Sequence, residues 1–176
     1  MSEMMNQKDA TVLVKVSIGE LSEAMGMINS AKKLLHDEGV DQWQNGYPDE
    51  KCIQQDIQAG RGYFAQIAGK KVGYLCIDFE GEPAYEHLQG EWGTPEPYVV
   101  VHRMAFLADA RGKGLSESVL AKAGELAVER GVHSFRVDTD EDNERMKHIL
   151  ARLGFTYRGT IWFDNSVKIA FDKRLE

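Results

Sequence analysis

Cysteine is nearly absent: Cys52 and Cys76 are the 2 in 176 residues. Two thiols are too few for a disulfide framework or a cysteine metal site, so both are read as reduced, semi-buried side chains. Proline is also scarce, at 4 residues. No linker, low-complexity segment or internal repeat divides the chain. No apolar run approaches the length of a membrane span, and the opening Met1-Ser2-Glu3 is too acidic for a signal peptide. Positive charge is in deficit: 21 Lys and Arg face 28 Asp and Glu, a formal net charge of −7. Such a chain repels nucleic acid and anionic membrane, so neither is an expected partner, and the expected setting is cytoplasmic. The histidines show no metal-ligand spacing such as H-E-x-x-H, and no metal is expected.

Hydrophobic residues make up 43% of the chain, enough for one sizeable core. We expect an N-terminal tail over 1–10 and a single domain over 11–176. Thr11 to Val16 reads as a strand. Leu21, Met25, Ile28, Ala31, Leu34 and Leu35 then mark the apolar face of a helix. Asp41 to Pro48 is a loop, and Glu50 to Ala59 a short helix. Tyr63 to Ala68 and Lys71 to Phe79 flank a hairpin turn at Gly69-Lys70. Tyr98 to Leu107 is a nearly continuous apolar run, the pattern of a central strand. Leu115 to Arg130 is helical, Ser134 to Val137 a strand, and Asn143 to Leu153 a helix. Phe155 to Phe163 and Val167 to Phe171 pair around Asp164-Asn165-Ser166. This order describes one mixed α/β domain.

The stretch Asp109-Ala110-Arg111-Gly112-Lys113-Gly114-Leu115-Ser116 carries the most chemistry. A strand runs into a glycine loop with two cations, and a helix starts at once. Free amides and the positive end of a helix dipole then converge on one spot, which suits a phosphate. A Walker loop fails, because Lys113 lies between the glycines and no Ser or Thr follows it. A dinucleotide loop is weakened by Glu117 in the third glycine place, although Asp138 lies near the expected ribose-binding distance. A hydrolase elbow lacks its final glycine and a late histidine. A plain left-handed turn before a helix also fits the two glycines. Asp138-Thr139-Asp140-Glu141-Asp142 starts like a calcium loop. Asn143 and Ile149 stand where that loop requires Gly and Glu, so it reads as an acidic turn before a helix.

From Tyr98 to Phe155 the chain resembles the GNAT superfamily of acyl-CoA-dependent N-acetyltransferases. Residues 109–114 match its Q/R-x-x-G-x-G/A signature at both glycine places, with Asp109 where Gln or Arg is usual. Read from Arg111, the motif instead ends in Ser116 where Gly or Ala is usual. Asn143, Met146, Ile149, Leu150 and the exit Leu153-Gly154-Phe155 resemble the family's second cofactor-side helix. The resemblance implies a central mixed, mostly antiparallel sheet flanked by helices and splayed at the CoA site. It implies acetyl transfer from acetyl-CoA to a primary amine of a small molecule or peptide, directly in a ternary complex. A non-catalytic acyl-CoA sensor or partner-binding module on the same fold is the alternative, and a homodimer is compatible with either.

The resemblance also implies roles for residues. Amides of Arg111, Gly112, Lys113, Gly114, Leu115 and Ser116 would hold the pyrophosphate, with Arg111 and Lys113 adding charge. Met104, Ala105 and Phe106 would offer strand backbone to the pantetheine amides. Asn143 would bind the same arm or simply cap its helix. Leu150 stands where a tyrosine acid is usual. The usual glutamate base is replaced by an apolar residue near Val100. His102, on the same strand face, is then the candidate base or a buried structural imidazole. Glu80, Glu82 and Glu91 are rival bases acting through water. Trp43 and Tyr47 would wall the acceptor site or pack their own loop.

Overall fold

The computed structural model describes residues 11–112, 114–163 and 165–176. The expected tail over 1–10, Lys113 and Asp164 lie outside the described residues. Strands are β1 (Thr11–Lys15), β2 (Gly62–Ile67), β3 (Lys70–Asp78), β4 (Gln89–Gly90), β5 (Val99–Phe106), β6 (Ser134–Asp140), β7 (Thr156–Phe163) and β8 (Ser166–Arg174). Helices are α1 (Leu21–Asp37), α2 (Glu50–Gln58), α3 (Leu115–Glu129) and α4 (Glu144–Arg152). Strand hydrogen bonding follows the order β1-β2-β3-β5-β6-β8-β7-β4. The β5–β6 pair is parallel, and the β1–β2, β2–β3, β4–β7, β6–β8 and β7–β8 pairs are antiparallel. The sheet is thus mixed and mostly antiparallel, with 8 strands.

The described residues group into two compact units, one within 11–77 and 102–122 and the other within 78–101 and 123–176. The first is built around an apolar core. Ala24, Met27, Ile28 and Ala31 of α1 and Ile53 and Ile57 of α2 bury against Phe64, Tyr74 and Ala105 of the strands. The buried stripe of α1 therefore begins at Ala24, and Leu34 and Leu35 are only half-buried. The hairpin turn falls at Ala68-Gly69, one residue before the expected place, with both residues at positive φ. That is the backbone shape a two-residue hairpin between twisted strands needs.

The second unit packs Tyr85, Tyr98, Val100, Ile161 and Ala170 together. Two elements here run past their expected ends, β6 to Asp140 and β8 to Arg174. They pair along their whole shared length, Ser134↔Arg174 through Asp140↔Lys168, and this pairing carries polar residues into strand conformation. The two-residue strand β4 has no periodicity for a sequence to show.

Strict alternation along β5 fails at Arg103, whose φ of 54° lies in the left-handed region. A left-handed residue kinks a strand as a bulge does. The face shared by Val100 and His102 therefore does not continue past Arg103. Beyond the kink, Phe106 lies over Gly73 of β3, and a Cβ on Gly73 would stand 2.8 Å from the Ala105 carbonyl oxygen and overlap the Phe106 ring. Gly73→Ala should destabilise the chain by about 1–3 kcal/mol through overpacking. Urea unfolding at an unchanged slope would measure it.

Candidate active site

In the first unit, β5 delivers His102, Arg103, Met104, Ala105 and Phe106 one after another. Arg103 is the best anchored. Its Nε and Nη2 donate to the two carboxylate oxygens of Asp56 at 2.7 and 2.6 Å. Nη2 also reaches Cys76 Sγ at 3.3 Å, and Nη1 donates to the Tyr47 hydroxyl at 2.7 Å. The Tyr74 hydroxyl donates to Asp56 at 2.9 Å. Burial works against the Arg103 charge, but the hydrogen bonds to Asp56 outweigh it and the guanidinium stays protonated. Burial, then the Asp56 charge, push the Tyr74 phenol far up, so it remains a donor. Asp56 sits in the buried stripe Ile53, Asp56, Ile57 of α2, whose start is capped by Asp49 accepting from the Cys52 amide at 2.9 Å.

The pair therefore ties the kinked strand, α2 and the 41–48 loop together. Tyr47 is held by Arg103. Trp43, also at positive φ, packs partly buried against the α1–α2 core. Gln44 Nε2 donates to the Lys32 carbonyl at 3.0 Å and pins the loop to α1. Trp43 thus has packing partners, and Tyr47 has its hydroxyl in a polar cluster. Arg103 and Asp56 were not among the expected site residues.

His102 is buried, with a pKa lowered to about 3. Burial is the main cause, followed by the charges of Arg103 and Arg61. An imidazole so shifted is neutral at pH 7 and a weak base.

The glycine loop follows β5 through a 3-10 turn, Ala108–Ala110. Gly112 and Gly114 have φ of 78° and 72°, and a Cβ at either would meet nothing within 4 Å. The loop can thus bring its backbone close to a ligand. Leu115 is buried, and Ser118 Oγ donates to the Gly114 carbonyl at 3.2 Å, tying α3 to the loop. Arg111 donates to Glu38 at 2.8 Å, and Lys70 pairs with Asp109 at 3.3 Å. Both pairs are partly or largely exposed and of the kind worth at most about 1 kcal/mol, so an anion could compete for Arg111.

In the second unit, Asn143 Oδ1 accepts from the Met146 amide at 3.0 Å, so its helix-capping role is present. Leu150, where a tyrosine was usual, is fully buried. The Tyr85 hydroxyl donates to Asp138 at 2.6 Å. Burial holds the Asp138 carboxyl up at about 6, with Tyr85 and Lys168 pulling the other way. Among the described residues, no group of three His, Cys, Asp or Glu side chains could hold a metal ion. Among those residues too, no helix is long and apolar enough to cross a membrane.

The model of the acetyltransferase (GNAT) family matches residues 28–155. A GNAT-family acetyltransferase from Streptococcus agalactiae 2603 has the same fold at TM-score 0.84 and 30% identity, over 94% of this chain and 96% of that one. The chain therefore belongs to the GNAT acetyltransferase family. A GNAT-family acetyltransferase from Listeria monocytogenes 4b F2365 shares the fold at TM-score 0.76 and 21% identity, over 94% and 95% of the two chains. So does the aminoglycoside acetyltransferase AAC(6')-Ib, solved with coenzyme A, at TM-score 0.67 and 17% identity over 93% and 94%. No curated protein matches the chain in sequence.

Two stability tests follow from this geometry. Asp56→Asn leaves Arg103 buried without its counter-charge and should cost about 3–5 kcal/mol. Adding Arg103→Met should recover part of that loss, measured as a coupling energy in a double-mutant cycle. For His102, the unfolded imidazole takes up a proton near pH 6.5, whereas the folded one resists until about 3. Its contribution is therefore whole above pH 6.5 and is lost as pH falls toward 3. His102→Gln should unfold less steeply between pH 6 and 4 in a denaturant series.

Proposed function

We propose that this chain is an acyl-CoA-dependent N-acyltransferase, with acetyl the default group, acting on a primary amine of a small molecule or peptide. One observation carries the reading. Two left-handed glycines with open space above them lead from β5 into the N-terminus of a 15-residue helix, with Arg111 beside them. Backbone amides at such a helix start have no intrahelical acceptor and suit a pyrophosphate. In this reading the amides of residues 111–116, including Lys113, hold the pyrophosphate. The strand backbone at Met104, Ala105 and Phe106 pairs with pantetheine, and Asn143 adds its side-chain amide beside its cap. The AAC(6')-Ib structure with coenzyme A supports the choice of cofactor, and its aminoglycoside class supports a small-molecule acceptor. A cytoplasmic setting fits the acidic composition.

The protein then has three tasks: to bring amine and thioester together, to take a proton from the ammonium, and to stabilise the developing oxyanion. Held at about 3, His102 stays neutral at pH 7, which fits a hydrogen-bonding role near the reacting groups better than proton removal. Trp43 and Tyr47, fixed through Arg103 and α1, serve as a wall for the acceptor. Buried Leu150 offers no proton to the leaving thiolate, which takes one from water or another side chain. That same leucine favours one second reading, an acyl-CoA sensor that binds without turnover.

Acetyl-CoA, but not NAD or ATP, should raise the melting temperature. Gly114→Asp should fold yet bind acetyl-CoA roughly 5- to 150-fold more weakly, the equivalent of about 1–3 kcal/mol, by calorimetry. Steady release of CoA with a panel of amines separates the enzyme from the sensor. Tight binding without release on any amine would favour the sensor.

A further inference from the structure

We propose that a second copy of this chain docks on the free edge of β1 in the first unit, the two strands pairing antiparallel about Leu13.

An edge strand turns a row of backbone donors and acceptors away from its sheet. β1 stands at one end of the sheet order, with β2 on one side and no strand on the other among the described residues. The pairing with β2 shows which groups face outward. Its register runs from Thr11↔Ile67 to Lys15↔Tyr63, so Val16 comes opposite Gly62. The Val16 amide donates to the Gly62 carbonyl at 3.0 Å. In an antiparallel ladder, bonded pairs recur at every second residue. Val12 and Val14 therefore bond to β2, while the amides and carbonyls of Leu13 and Lys15 point away from it.

Side chains follow the same period. Val12 and Val14 lie on the sheet face that carries Phe64, the cross-strand partner of Val14. Phe64 is buried in the core beneath α1 and α2, yet Val12 is 54% and Val14 38% exposed. The core thus ends before the two valines. An open backbone edge flanked by exposed β-branched side chains is suited to receive another strand.

Symmetry and charge choose the occupant. With a two-fold axis at Leu13, each Leu13 exchanges both backbone bonds with its mate, because its groups are among those that face outward. Val12 meets Val14 of the other copy and Val14 meets Val12, so four valines close on one face. An axis at Val12 or Val14 would instead oppose groups already bonded to β2. The chain carries a net charge of −7 and repels its own copy over most of its surface. β1 contains no acid, and its one charged residue is Lys15. An axis at Leu13 sends the two lysines to opposite ends of the ladder, so no like charges face each other. A standard interface covers roughly 800 Å² of each partner, more than five paired residues supply, so the dimer exchanges with monomer.

The test uses the whole chain in sedimentation equilibrium from about 10 μM to about 1 mM, a range that spans weak association. The mean mass should rise from 19.8 kDa toward twice that value. Over the same range, hydrogen exchange should slow more at the Leu13 and Lys15 amides than at Val12 and Val14. Val12→Glu should weaken association at least tenfold, by setting a charge against Val14 of the other copy. Val12→Glu combined with Val14→Lys should recover most of it, since the opposite charges then meet across the axis. Melting temperatures within a few degrees of wild type would show that both variants fold. A chain that stays monomeric throughout overturns the proposal, even with protected edge amides, because something other than a second copy then covers β1. Association that Val12→Glu leaves intact also overturns it, since the copies then meet elsewhere. Folded double variants that do not regain association overturn the axis at Leu13.

Discussion

The buried pair between Arg103 and Asp56 is the constraint on which the first unit depends. Taking two opposite charges out of water is favourable only when their geometry is good and their remaining valences are filled. Here the carboxylate takes two guanidinium bonds and the Tyr74 hydroxyl, and the guanidinium also reaches Tyr47 and Cys76. Those bonds help hold a left-handed backbone at Arg103 that a non-glycine residue otherwise avoids. The kink then sets where Met104, Ala105 and Phe106 stand on β5, and Gly73 lets Phe106 seat. One ion pair thereby fixes the strand, the α2 helix and the loop bearing Tyr47.

The two units handle charge differently. In the first, the central carboxylate accepts from two guanidinium nitrogens and a phenol and serves geometry. In the second, burial raises the Asp138 carboxyl, while the Tyr85 hydroxyl and the Lys168 charge pull it back down. Its neighbours Asp140 and Asp172 pair with Lys168 and Arg158.

Much of this was legible in the sequence where the cause is local. The glycine loop, the helix it opens and the Asn143 cap are written in residues next to one another. The strand run from Tyr98 is legible because burial on both faces removes alternation. The left-handed φ of Arg103 is not, since nothing in the letters His-Arg-Met marks a kink. Asp56 left a faint trace: an acid inside the apolar stripe Ile53, Asp56, Ile57 asks for a buried partner. That partner is 47 residues away, and only the fold brings them together. The low His102 pKa is not legible either, because burial, its main cause, comes from packing, and Arg61 enters from a different element. Asp138 stood out in the sequence within an acidic turn and near a ribose-binding distance, but its bond to Tyr85 comes from 53 residues away.

The Arg111–Glu38 pair has a kinetic consequence. A loop arginine already neutralised by a glutamate projects little positive field beyond contact range, and the chain as a whole carries −7. A polyphosphate arriving from solution therefore meets net repulsion until it is close enough to displace Glu38. Dissolved salt screens that repulsion over roughly 10 Å at 0.1 M ionic strength. Encounter should then quicken as ionic strength rises, the reverse of the behaviour of a basic protein that draws in its anionic ligand from afar.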